Sequence, residues 1–421
     1  MDRRSFLSSF ALLPLAGLAS RAHGFLSPLR GSLTPTPDLS ASMWIYLWDL
    51  VDEGYEPVLR NLSANRLTGI SLATAYHAGK FLEPHNPKRK VVFPEDGTVY
   101  FKPDPRKYGR IHPRLNSLVK AGHGLETAKK FADKMGLTTR AWVVCCHNTP
   151  LGTQYPDIAC EDAFGDRLFH NLCPSNEDVR KYVRALVSDI GSHGVDAIEL
   201  EALQFQGYAH GFHHEREGIE LNVAARFLMG LCFCPSCVKR AHAAHLDLAP
   251  ARNFTKQILE KWFSDPSGTA ELYPTVDKLP SELFGPLLVW RNSVITSFLE
   301  EIREGARSTT LRQMVSIDPI GQKIACIDPV SSARITGGLL ALGYVKDGAA
   351  LRKPIESLQA AVGSGSITLG LQVGLPESGG KKEFLDRVST ARSLGIRSFN
   401  FYNYGFIPSQ NLHWITEALE S

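Results

Sequence analysis

After residue 42 an apolar run followed by an amphipathic stretch recurs eight times, and this alternation limits the fold more than any single motif. The apolar runs are Met43–Leu50, Gly69–Gly79, Thr138–Asn148, the stretch around Ile198–Phe205, Arg312–Pro319, Thr336–Asp347, Ser366–Ser378 and Ile396–Phe406. Between them lie segments of helical period, such as YEPVLRNLSANRL, GHGLETAKKFADKMG and NEDVRKYVRALVSDIGSHG, the last with Asn176 placed as an N-cap. Near-continuous apolar strands are those of a parallel sheet covered by helices on its faces. Eight such units predict a (β/α)8 TIM barrel of class α/β, with insertions after strands two and four. The rival is a doubly wound open sheet, which usually carries a Gly-rich phosphate turn after its first strand. The first strand here is followed by no such turn.

The first 22 residues predict an export signal. Arg3 and Arg4 precede Phe6 and Leu7, an apolar run follows from Phe10 to Leu18, and Ser20 and Ala22 supply a cleavage signature. The apolar run is shorter than the ~20 residues a membrane-spanning helix needs, and the R-R-x-F-L core resembles a twin-arginine signal. That resemblance implies a periplasmic or secreted protein that folds before export. Residues 23–42 are rich in Pro, Ser and Thr and predict a linker, with the barrel over 43–421. The net charge is +3, which gives no electrostatic case for nucleic acid, and no later run predicts a membrane span.

In such a barrel the chemistry sits at the C-terminal ends of the strands. Those ends offer Asp49, His77, His147 with Asn148, Glu199 with Glu201, Asp318, Tyr344, Glu377, and Tyr402. Acids, amides and aromatic rings collected at one rim suit a carbohydrate, whose apolar faces stack on rings while its hydroxyls bond to carboxylates and amides. Each acid also has a structural reading: Asp49 as a helix cap, Asp318 before Pro319 as turn chemistry, and Glu199 as the partner of a basic residue in the barrel floor.

Glu199 and Glu201 are two apart, so on a strand they face the same side. The segment GVDAIELEAL resembles the fourth-strand motif of α-amylase-like glycoside hydrolases, matching at Gly194, Val195, Asp196 and Ala202. Glu201 falls on that family's nucleophile, with Glu in place of Asp, and Glu199 stands where the family has Arg. The long loop FLEPHNPKRKVVFPEDGTVYF and the CFCPSC segment resemble bacterial glycoside-hydrolase-like barrels more broadly. Glu201 with Glu377 resembles the strand-four and strand-seven glutamate pair of retaining (β/α)8 glycosidases, although Leu200 stands where that clan has Asn. These resemblances imply catalysis by Glu201 and Glu377, with Asp318 in reserve, and no cofactor in the chemistry.

The insertion at about 206–280 carries Tyr208, His210, His213 and His214, expected to line the pocket mouth, with Tyr208 and His210 on substrate. Cys232, Cys234 and Cys237 are spaced for a structural zinc completed by a nearby His such as His242 or His245; a disulfide or free thiols are the alternatives. Export after folding in a reducing compartment favours the metal. The leading expectation is an exported glycoside hydrolase. A non-catalytic carbohydrate-binding barrel and a metal-assisted hydrolase or deacetylase built on the His-rich insertion are the alternatives.

Overall fold

A computed structural model describes residues 39–421 except 209–214 and 375–378. Eight parallel strands carry the fold: β1 (Ser40–Ile45), β2 (Gly69–Tyr76), β3 (Thr138–Val144), β4 (Ala197–Glu201), β5 (Thr310–Ser316), β6 (Leu339–Leu342), β7 (Ile367–Gln372) and β8 (Ser398–Tyr402). Each pairs with the next, and β1 pairs with both β2 and β8, so the sheet closes on itself. Helices cover the outside. The longest after each strand are α1 (Tyr55–Ala64), α2 (Leu125–Lys134), α3 (Glu177–Gly191), α4 (Ser281–Ala306), α5 (Pro329–Thr336), α6 (Gly348–Val362), α7 (Lys381–Ser393) and α8 (Asn411–Glu420). This is the predicted (β/α)8 barrel. No described helix is long and apolar enough to cross a membrane.

Two boundaries differ from expectation. The first strand starts at Ser40, inside the segment assigned to the linker, and ends at Ile45; Leu47–Glu53 is already helical. Small hydroxyl residues begin this strand because they face the crowded bore: Ser40 Oγ accepts from Arg140 at 3.1 Å. The second difference is an antiparallel hairpin after β3, Ala159–Glu161 with Arg167–Leu172. The insertion after β2 carries a second hairpin, Phe81–Leu82 against Val91–Val92. The insertion after β4 is helical over Val223–Met229, Pro235–Ala243, Ala249–Ser264 and Pro266–Leu272.

The bore is filled in layers. At one level Thr368 and Ser398 share a hydrogen bond at 3.0 Å. Above it Glu199 gathers donors from three other strands. Gly370 leaves room for the Trp44 ring: a Cβ there would meet Trp44 Cη2 at 2.8 Å. No side chain larger than hydrogen fits that position without displacing the indole.

Candidate active site at the C-terminal rim

Glu199 and Glu201 face the same side of β4, as their spacing requires, but occupy different environments. Glu199 is 0% exposed. It accepts from Trp44 Nε1 at 3.1 Å, from Asn400 Nδ2 at 2.9 and 3.0 Å, and from Ser71 Oγ, and Arg140 lies 3.5 Å away. Burial raises its pKa, opposed by the Arg140 charge and by these donors. The expectation that Glu199 touches substrate is therefore corrected: its contacts are to the barrel's own floor, because a carboxylate enclosed this deeply must be met by donors from its neighbours.

Glu201 lies one layer higher and is partly open to a cavity of about 300 Å³. Trp142 Nε1 donates to its carboxylate. Burial pushes its pKa up from 4.5 to about 7, and the Trp142 hydrogen bond is the opposing influence. Ala202 follows with φ +55°, a left-handed turn that ends the strand immediately after the carboxylate.

Aromatic rings form one side of the site. Trp142 stands edge-on to Tyr76 and Tyr402 at 4.9 and 6.1 Å between ring centroids. Tyr402 also meets Trp44 at 5.7 Å and Tyr344 at 6.0 Å. The Tyr46 hydroxyl donates to Tyr76 at 2.9 Å, and His77 stacks on Tyr76 at 4.3 Å and on His147 at 4.5 Å. The Tyr402–Asn403 peptide is cis. Amide and apolar side chains form the other side: Gln204, Gln206, Ser316 and Gln322 with Met314, Ile327 and Leu342.

The structure thus brings Glu201, His77, His147, Tyr344 and Tyr402 to one rim, with Tyr208 half-buried against the core after β4. Three expected residues serve local structure instead. Asp49 is buried and its Oδ2 accepts from the Tyr46 N–H at 2.9 Å. Asp318 is exposed and caps the helix Pro319–Ala325, accepting from Ile320 N at 3.2 Å and Gly321 N at 2.8 Å. Asn148 caps Thr149–Gln154 by accepting from Leu151 N at 3.0 Å and donates to Gly97 O at 3.3 Å. Asp and Asn at a strand end are also the residues that start helices, and here that use prevails. Glu377, His210, His213 and His214 lie outside the described residues.

A separate thiol cluster lies beside the rim. Cys173, Cys232, Cys234 and Cys237 are buried, and their sulfurs all fall within 4.8 Å of one another. Cys173 Sγ is 3.5 Å from Cys237 and Cys234 and 3.9 Å from Cys232. Four sulfurs around a zinc at the usual ~2.3 Å lie ~3.8 Å apart, whereas a disulfide needs ~2.05 Å. The cluster has the spacing of a tetrahedral four-thiolate site. The group that joins the three expected cysteines is Cys173, while His242 and His245 are exposed. Two signals pointed to Cys173: the triplet Cys173-Pro174-Ser175 repeats at Cys234-Pro235-Ser236, and both stand just before a helix. The Glu161 N–H donates to Cys232 Sγ at 3.4 Å and the Phe233 N–H to Glu161 O at 2.7 Å, so the insertion is pinned to the hairpin after β3. Cys145 and Cys146 lie just beyond β3 and are buried.

No protein-family model matches the sequence, and no curated protein matches it. Solved structures do match the fold. The β-galactosidase of the psychrophilic Marinomonas ef1 is 10% identical over 91% of this chain and 59% of its own, with a TM-score of 0.56. The β-galactosidase of the Antarctic haloarchaeon Halorubrum lacusprofundi is 11% identical over 91% of this chain and 58% of its own, with a TM-score of 0.54. The chain spans about three fifths of the length of either. At these identities the likeness is one of fold: this chain is built on the same closed eight-stranded barrel.

Proposed function

We propose that this protein is a glycoside hydrolase in which Glu201 is the general acid. The observation that carries the reading is a carboxyl group at the end of β4, open to a cavity and walled by aromatic rings. Burial holds it protonated up to a pH of about 7. A glycosidase acid must be protonated when it meets the glycosidic oxygen, and an apolar surrounding is how a carboxyl achieves that near neutral pH. The barrel shared with two β-galactosidases is consistent with this chemistry.

Glu377, which lies outside the described residues, is proposed as the second carboxylate, either attacking the sugar or activating water. In this scheme the glycosidic oxygen takes the Glu201 proton as the bond to the anomeric carbon breaks. Glu199 does not act on substrate; with Trp44 it fixes the floor on which Trp142 and Glu201 stand. The test is hydrolysis of a panel of neutral aryl glycosides and disaccharides. The reading requires turnover of at least one, a fall in kcat/KM on the alkaline side of pH 7, and loss of turnover of poor leaving groups in Glu201→Gln. An acid limb in place of the alkaline one would assign Glu201 to nucleophilic attack. Sugar binding without turnover across the panel would leave a carbohydrate-binding barrel.

Cys173, Cys232, Cys234 and Cys237 are proposed to hold a structural zinc that takes no part in the chemistry. Metal analysis of the purified protein should find one zinc per chain and none in Cys173→Ser; disulfides in place of the four thiols would exclude it. Export through the twin-arginine route is inferred from Arg3 and Arg4. Replacing both with Lys should retain the protein in the cytoplasm, and unaffected export would rule that route out.

A further inference from the structure

Glu201 stands between two unlike surfaces. Towards β1, β2, β3 and β8 it faces rings. Towards β5 and β6 it borders the 300 Å³ cavity, whose walls combine amides and a hydroxyl with apolar side chains. Gln322 is held in place by its own Nε2, which donates to Ser316 O at 2.7 Å, and Gln206 by Nε2 to Ala202 O at 2.9 Å. Each amide gives one N–H to the backbone, which fixes its orientation and leaves the second N–H and the amide oxygen for a ligand hydroxyl. Ile327 and Leu342 add apolar side chains to the same lining. Among the described residues no Lys or Arg lines this cavity, and its one imidazole, His147, is stacked on His77. An anionic sugar would place its carboxylate near Glu201 with no guanidinium or ammonium to offset desolvation, which is costly. A volume of this size lies at the lower end of small-ligand sites and suits a sugar residue rather than a long chain.

We infer that this cavity is a second sugar subsite, taking an uncharged pyranose on the opposite side of the scissile bond from the ring-lined half. The inference rests on the glycosidase reading, and it makes the substrate a neutral di- or oligosaccharide. Hydroxyls of the second sugar donate to the Gln206 and Gln322 amide oxygens, and its apolar face lies on Ile327 and Leu342. The proton from Glu201 then reaches an oxygen that bridges the two halves.

The test compares 4-nitrophenyl hexopyranosides, which have no second sugar, with disaccharides carrying the same terminal sugar. In Gln322→Ala the ratio of kcat/KM for disaccharide over aryl glycoside should fall several-fold, the effect of one lost hydrogen bond. Leu342→Trp fills the same space from a different strand and should lower the ratio further, so misfolding of one variant does not decide the outcome. A uronic-acid disaccharide should fail to compete with the neutral one. Equal losses on both substrates in both variants, or effective competition by the uronic-acid sugar, would overturn the subsite while leaving the glycosidase reading intact. Absence of turnover on every substrate would overturn both.

Discussion

Replacing Glu201 with Gln should make the protein more stable, and more so as the pH rises. An isolated carboxyl with an ordinary pKa of 4.5 ionises in the unfolded chain from that pH upward, whereas in the folded protein it holds its proton to about 7. Between these values the folded state binds more protons than the unfolded one, so wild-type stability falls with rising pH. Below 4.5 the residue costs nothing; above 7 the full cost is present. A shift of this size corresponds to about 3 kcal/mol once complete, and to roughly 2.5 kcal/mol between pH 5 and pH 8. Gln does not titrate and its amide oxygen can still accept from Trp142 Nε1. The Tm difference between Glu201→Gln and wild type should therefore widen by ~3 °C over that range, given an unfolding entropy of ~0.8 kcal/mol per kelvin for a barrel of this size. Differential scanning fluorimetry of both proteins in matched buffers measures it, and every group the two share cancels in the difference. A Tm difference that stays constant with pH, or narrows as pH rises, would refute the claim that burial holds this carboxyl neutral.

Two further predictions concern the floor beneath it. Gly370→Ala should cost about 1–3 kcal/mol, because its methyl group meets Trp44 Cη2 at 2.8 Å and Leu342 Cδ2 at 3.2 Å; thermal melts and the Trp fluorescence maximum report it. Arg140→Met should cost about 3 kcal/mol near neutral pH by removing the guanidinium 3.5 Å from the buried Glu199, and less at pH 5, where Glu199 can take up a proton. Urea unfolding at both pH values distinguishes this from a simple packing defect, which would cost the same at each.

The sequence made the barrel legible because each parallel strand must be apolar on the face it presents to its helix, and that pattern repeats eight times. Local boundaries were harder to read. Ser40 and Ser42 look like linker, yet small polar residues are what a bore crowded by Arg140 and Trp44 accepts. At the rim Glu201 was legible from its spacing to Glu199 and from the end of an apolar run. The distinction between Asp49, Asn148 and Asp318 and a true pocket residue was not, because an acid or amide that starts a helix and one that meets a ligand are the same residue type in the same place. Only the direction of the side chain separates them. Cys173 was missed because its partners lie 59 or more residues ahead, across β4, and no local spacing connects them.

The Glu199 assembly has a consequence for traffic through the pocket. Trp44, Ser71, Arg140 and Asn400 close around that carboxylate and stopper the bore directly beneath Glu201. The pocket is closed from below by this assembly, and its doorway lies on the loop side. An incoming molecule and a departing one must use that doorway in turn, and the proton that recharges Glu201 must arrive through it as well.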